Sequence, residues 1–244
     1  DPKLRKMMKM VGEGWLDVLP LSEALRTLRT DSTYWVFGEN NFPEEAEKLK
    51  KQGQKVFGTS ALTEQMEHDR QFAVDLAEKS GLESPPTHEF SSLKEGMAFL
   101  DSNMDHAYVF KPNDSTFNYM TFVPARKEDA DANRELYVYL EHMKTDPGAY
   151  ILQERIKQED ALEVCVEAWI YEGEPFLAFV GLEVKRKNTY DIGEMCGCGG
   201  DFTQMIPLDS ELVKQTVGLM FDFYKEKSYT GFSDVNVLFT PDGV

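Results

Sequence analysis

The 244-residue sequence has only three cysteines, Cys165, Cys196 and Cys198. Three clustered thiols cannot build a disulfide framework, so a packed core must hold the fold. Cys196 and Cys198 are also closer together than the two-residue gap usual at a zinc knuckle. The four histidines (His68, His88, His106 and His142) are scattered, so no structural metal site is expected. No apolar run approaches the roughly 18 residues that a membrane-spanning helix needs. The start, DPKLRKMMKMVGEGWLD, lacks the apolar stretch of a secretion signal and an initiator methionine. The cytoplasm is therefore the expected compartment, and the sequence is expected to begin inside its gene product. Positive charge is scarce as well, with 26 Lys and Arg against 43 Asp and Glu, a net −17. Such a surface repels nucleic acid and anionic membrane alike, so neither is expected as a partner. Any phosphate ligand then needs a locally basic pocket. There are no repeats and no low-complexity tracts.

What is present reads as a globular chain, one large domain or two modest ones, with 41% apolar and 12% aromatic residues. The first sixty residues alternate helix and strand. LSEALRTLR has helical spacing, TYWVFGEN is a short buried strand, and FPEEAEKLKKQG is a helix opened by Pro43 and closed by Gly53. QKVFG supplies the next strand, and strand–helix–strand at this length implies a parallel pair. The pattern looks like part of a doubly wound domain whose opening strand and phosphate turn are missing.

Ser60–Gly81 reads as one helix, followed by a proline-rich turn, a short strand and the helix SSLKEGMAFLDS. HAYVFKPND is a strand, KEDADANRELYVYLEHM a helix and GAYILQERI a strand. EVCVEAWIYEGEPFLAFVGLEV is an antiparallel hairpin turning at Glu172–Pro175. DSELVKQTVGLMFDFYKEKSY reads as one long amphipathic helix with Val213, Val217, Met220, Phe221 and Tyr224 inward. GFSDVNVLFTPDGV closes with a strand and the start of a hairpin turn. DIGEMCGCGGDF (Asp191–Phe202), four glycines and two cysteines in twelve residues, reads as a loop. A metal knuckle, a redox pair, a phosphate cradle and a plain surface loop all remain open for it.

The chemistry sits at strand ends. Lys111 ends an apolar strand and runs into Pro112; alone it could be an edge lysine whose stem lies on apolar walls. The next strand ends at Gln153–Glu154, and Glu163 opens the one after. A strand-end lysine, a strand-to-linker acid and a second acid about ten residues on suit a nucleotide. The lysine neutralises phosphate, linker backbone groups pair with the adenine edge, and the second carboxylate accepts from ribose hydroxyls.

This order, continued through VKRKNTYDIGEMCGCGGDF and GFSDVNVLF, resembles the ATP-grasp ligases, most of all their phosphoribosylamine–glycine ligase branch. The likeness spans roughly residues 34–244. It implies a mixed α/β and α+β ATP-grasp fold. A partial doubly wound unit would occupy 1–60 and the ATP-grasp domain 61–244, with a lid at about 86–157. It also implies ATP and Mg2+ (or Mn2+) as cofactors, a glycine-like carboxylate and an amine as substrates, an acyl phosphate between them, and a place in purine biosynthesis. Lys111 would hold the α- and β-phosphates. Gln153, Glu154 and Ile156 would lie at the adenine, the last two through their backbone, and Glu163 would bind ribose. Arg70 stands where the family has a basic residue reaching phosphate, though a solvated helix arginine is equally compatible. Lys185 and Arg186 would face the anionic substrate or γ-phosphate; a charged strand end is the bland alternative. Gly193, Gly197, Gly199 and Gly200 would cradle that anion, because glycines let backbone N–H groups approach closely. Asn236 would meet the metal, with Asp234 as the fallback. Three departures stand out. PNDSTFNYMTFVPA after Lys111 lacks the family's lid glycines, leaving Ser115 and Thr116 as donors. The sequence stops before a Glu-x-Asn metal strand, and its first domain is partial. A different acid and amine pair, or a nucleotide-binding module without turnover, fits the same features.

Overall fold

The computed structural model describes residues 12, 15–28, 30–38, 40, 42–156, 162–188 and 192–239, without the side chains of Ser115 and of 183–201. Helix α1 (Leu21–Thr27) precedes strand β1 (Tyr34–Val36), helix α2 (Pro43–Lys51) and strand β2 (Lys55–Phe57). β1 and β2 pair in parallel, as the crossover rule requires, with Trp35 opposite Val56. Glu44 and Glu45 lie in the first turn of α2 and Lys50 and Lys51 in its last, complementing its dipole, while Ala46 and Leu49 are buried.

Ser60–Gly81 is two helices rather than the single one its periodicity suggests. Ser60 opens α3 (Ala61–His68) with a capping box shared with Thr63. The backbone leaves the helical region at Asp69 (φ −122°, ψ 92°), whose carboxylate accepts from Phe72 N and begins α4 (Arg70–Lys79). An aspartate competes for backbone N–H groups and so favours a cap over a helix interior. Asn113, far along the chain, secures the break by accepting from Gln71 N at 2.9 Å.

Strands β3 (Thr87–Phe90), β4 (Tyr108–Pro112) and β5 (Tyr150–Glu154) form an antiparallel sheet in the order β3–β5–β4. Helices α5 (Leu93–Ser102) and α6 (Asp129–Glu141) supply Leu100, Leu136 and Leu140 to its core. Strand alternation turns Tyr108, Phe110, Tyr150 and Leu152 into that core and leaves Val109, Lys111, Ile151 and Gln153 on the opposite face.

Strands β6 (Leu162–Tyr171), β7 (Glu174–Asn188), β8 (Ile192–Ile206) and β9 (Gly231–Phe239) make a second antiparallel sheet in the order β8–β7–β6–β9. Its inner face, Val164, Val166, Ala168 and Ile170, packs on Leu76 of α4, α7 (Glu211–Gln215), a 3-10 turn (Val217–Met220) and α8 (Phe221–Glu226). The expected long helix over this last stretch breaks at Thr216 (φ −128°, ψ −115°), whose hydroxyl donates to Leu212 O at 2.6 Å. The inward set is nonetheless correct: Val213, Val217, Met220 and Tyr224 are buried and Phe221 packs beside them.

The β6–β7 hairpin turns on two residues, Glu172 (φ 49°) and Gly173 (φ 83°), the positive pair of a type I′ turn. Gly173 N donates to Tyr229 O at 2.7 Å, Glu172 N to Thr230 Oγ1 at 2.9 Å, and Lys225 pairs with Glu174 at 2.6 Å. A Cβ on Gly173 would sit 2.6 Å from Lys225 Cα, so only glycine fits there.

The expected loop at 191–202 is instead strand, Ile192–Ile206, laid along β7 with Gly200 opposite Val184 and Met195 opposite Arg186. Glycines signal turns locally, but the fifteen residues of β7 offer a ladder of backbone groups that outweighs that propensity. Asp191, the 157–161 connection and the closing turn after Phe239 lie outside the described residues.

Candidate functional site

Lys111 and Gln153 meet on the face of the three-stranded sheet that also carries the buried Val109 and Ile151. Lys111 Nζ donates to Gln153 Oε1 at 2.7 Å. The amide is held from its other side, since Gln153 Nε2 donates to Thr87 Oγ1 at 3.1 Å and Ser84 Oγ at 3.4 Å. The ammonium is thus positioned on a strand, half-buried. Arg70 is anchored at the same end of β4. Its Nε donates to Pro112 O at 2.9 Å and Nη2 to Asn118 Oδ1 at 2.8 Å. Burial lowers its pKa, and Glu67 partly offsets that. Arg70 therefore braces the strand that carries Lys111 rather than waving in solvent. After Lys111 the chain forms a 3-10 turn (Ser115–Met120), where Thr116 N already donates to Asp114 at 2.8 Å.

The acid at the end of β5 behaves differently. Glu154 lies opposite Tyr108, so its side chain emerges on the face away from Lys111 and approaches His106 Nδ1 at 3.4 Å. Its backbone N donates to Pro86 O at 2.8 Å. Half-buried Ile156 follows. Between them Arg155, which sequence reasoning passes over, reaches into the protein. It donates to Lys127 O at 2.9 Å and to Asp129 Oδ1 at 3.2 Å, and also to the carbonyls of Pro124 and Arg126. The linker is thereby tied to the start of α6.

The open face of the four-stranded sheet carries the remaining acids. Along β6, alternate residues Glu163, Cys165, Glu167 and Trp169 face outward, opposite Leu238, Asn236, Asp234 and Phe232 of β9. Asp234 Oδ2 accepts from Asn236 Nδ2 at 3.5 Å and from Cys165 Sγ at 3.7 Å. Glu167 accepts from Trp169 Nε1 at 2.6 Å. Glu167 and Trp169 share the face of Glu163 at a spacing of two. Asp234 and Asn236, with Glu167 opposite, carry hard oxygen atoms of the type that Mg2+ or Mn2+ takes. Among the described residues no group of three or more His, Cys, Asp or Glu could by itself hold a metal ion. Lys185 and Arg186 lie on β7 and Gly193, Gly197, Gly199 and Gly200 on β8. The direction of those two basic side chains lies outside the described residues.

Burial pushes Glu167 above the usual carboxylate range; the Trp169 hydrogen bond opposes this and Asp234 adds to it. A carboxyl whose folded-state pKa is raised contributes stability that is complete below the unfolded pKa and is lost as pH rises through the folded value. Glu167→Gln abolishes that titration. The metal-free variant therefore melts higher than the parent at pH 7, and the gap closes as pH falls towards about 4, the unfolded carboxyl range. Calorimetry across this range checks it, and a variant that melts lower at pH 7 contradicts it.

No family model and no curated protein matches the sequence. Solved structures do. Phosphoribosylamine–glycine ligase from Thermotoga maritima superposes with a TM-score of 0.65 at 16% identity, over 92% of this chain and 56% of its own. The D-alanine–D-alanine ligase of Bacillus anthracis complexed with ATP gives 0.53 at 16% identity, over 92% and 70%. A D-Ala:D-Ser ligase of Enterococcus faecalis gives 0.53 at 19% identity, over 84% and 57%. The chain thus spans little more than half the length of two of these proteins. At such identities the likeness concerns the fold, and that fold is the one expected from the order of strand-end residues: the chain has the ATP-grasp fold of these ligases.

Proposed function

We propose that the chain is the ATP-binding part of a carboxylate–amine ligase that works through an acyl phosphate, in the manner of phosphoribosylamine–glycine ligase. The division into a doubly wound unit up to residue 60 and an ATP-grasp domain beyond it, with a lid at about 86–157, belongs to the same reading. The observation that carries it is the pair of complementary sheet faces. One bears a positioned cation, Lys111 with Gln153, and the other bears the acids Glu163, Glu167 and Asp234, in a fold seen in ligases.

In this reading Lys111 neutralises the α- and β-phosphates, and Arg70 holds its strand in place. The backbone of Glu154 and Ile156 pairs with adenine, while Glu163 accepts from ribose hydroxyls. Lys185, Arg186 and the β8 backbone at Gly193–Gly200 oppose the transferring phosphoryl group or an anionic substrate. Asp234 and Asn236 hold Mg2+ or Mn2+, which when bound neutralises charge on the phosphates. Converging cations and backbone N–H groups are what phosphoryl transfer demands, since negative charge spreads over the γ-oxygens.

The intact protein, ATP and magnesium are incubated with a panel of acids and amines, glycine and phosphoribosylamine among them. ADP release that requires both an acid and an amine is expected. Oxygen-18 placed in the carboxylate should appear in the released phosphate. ATP binding with no ADP release for any pair would instead establish a binding module without turnover.

A further inference from the structure

The linker that follows β5 carries two backbone groups on one edge. Glu154 N donates to Pro86 O at 2.8 Å, so the polar groups of Glu154 face the β3 side. An antiparallel partner placed there normally returns a bond to the carbonyl. Pro86 has no N–H and cannot return it, which leaves the Glu154 carbonyl without its ladder donor. Arg155 N donates to Ala107 O at 2.8 Å, so the β4–β5 ladder runs one residue past the strand. Alternation then brings the Ile156 N–H back to the edge that holds the Glu154 carbonyl. That N–H has no protein partner among the described residues.

An acceptor followed by a donor complements a 6-aminopurine, whose amino group donates and whose N1 accepts. A 6-oxopurine offers an acceptor and an N–H in those places, and meets like with like at both. Such an edge reads a base only while the linker is held still. The Arg155 side chain holds it, and is 9% exposed. It donates to Lys127 O at 2.9 Å, to Asp129 Oδ1 at 3.2 Å, and to the carbonyls of Pro124 and Arg126. The segment it grips is fixed in turn, since Ala125 N and Arg126 N donate to Glu135 of α6 at 2.9 and 3.1 Å. Arg155 Nε, by contrast, is buried and finds no acceptor among the described residues. Leaving a buried donor unpaired is costly, so stability alone does not account for an arginine here.

We propose that Arg155 is the positioning residue for nucleobase selectivity: by clamping the linker to the segment before α6, it holds the Glu154 carbonyl and the Ile156 N–H in register with a 6-aminopurine. The assignment rests on the nucleotide reading of the linker given above, and adds the side chain that makes it selective.

The test measures dissociation constants of ATP, inosine triphosphate and inorganic triphosphate for the intact protein with magnesium, by competition in equilibrium dialysis. The parent is expected to bind ATP at least about a hundredfold more tightly than inosine triphosphate, since two contacts turn from paired to opposed. Arg155→Met, similar in length but without donors, should lower that ratio at least about tenfold by weakening ATP, and leave inorganic triphosphate within about twofold. Arg155→Lys should restore part of the ratio. If Arg155→Met does not fold, Asp129→Asn, which weakens a single contact at a helix start, should shift the ratio the same way by about two- to threefold. Equal losses for all three ligands would make Arg155 a support of the fold only and overturn the assignment, as would an unchanged ratio. A parent that binds all three but ignores the base also overturns it, while the ligase reading stands. Selective ATP binding without ADP release for any acid and amine removes the ligase and leaves the assignment standing. If none of the three binds, both fall.

Discussion

Replacing Lys111 with alanine lowers ATP affinity by roughly ten- to a hundredfold while the melting temperature barely moves. A hydrogen bond to a charged group is worth about 1.5–3 kcal/mol, and each 1.4 kcal/mol is a factor of ten. The ammonium is positioned by Gln153 at 2.7 Å, and Gln153 by Thr87 and Ser84, so little ordering is left to bring about when the phosphate arrives. Stability is spared because Lys111 points away from the sheet's core, where its neighbour Phe110 is enclosed. Lys111→Arg should keep part of the affinity. An alanine variant that binds ATP as the parent does, in equilibrium dialysis, removes Lys111 from the phosphate site.

The neighbouring residue has the opposite profile. Phe110→Ala should cost about 3–5 kcal/mol of stability, the usual loss when a fully buried aromatic becomes a cavity. Phe110 is 0% exposed, with its ring 4.9 Å from Tyr150 and 6.1 Å from Tyr139. Its backbone also bridges to Phe122. The core it belongs to is distinct from the one beneath the four-stranded sheet, so the damage should concentrate there. Hydrogen exchange is expected to accelerate in β3–β5, α5 and α6 well before it does in β6–β9. A loss below about 1 kcal/mol in urea unfolding, or uniform acceleration of exchange, would contradict a self-contained core.

The strands were legible in the sequence as apolar runs, and in β6 a period of two sets Val164, Val166, Ala168 and Ile170 apart as the buried face. The same period contained Glu167 and Trp169, but nothing local distinguishes an acid in a site from an acid on a wet sheet. The helix breaks at Asp69 and Thr216 were not legible. Each depends on a partner or contact that the local pattern does not show: Asn113, 42 positions beyond Gln71, for the first, and enclosure of Thr216 for the second. The 192–206 strand was missed for a related reason, since pairing with β7 is a tertiary event that glycine content cannot announce. Arg155 escaped because its role lies in reaching three carbonyls and Asp129, all of them on another segment.

The two-residue turn at Glu172–Gly173 has a consequence beyond connecting β6 to β7. Side chains on a strand alternate, so whether Glu163 and Glu167 face outward or into the core is a matter of odd or even. A slip of one position would bury three outward residues, Glu163, Cys165 and Glu167, against Val213 and Tyr224, and would turn Val164, Val166 and Ala168 out to the opposite face. The contacts of the turn with Tyr229, Thr230 and Lys225 pin the register there, one step before the bulge between Trp169 and Ile170. The chemistry of the sheet is thus written as a frame, and the glycine at its tip keeps the frame in phase.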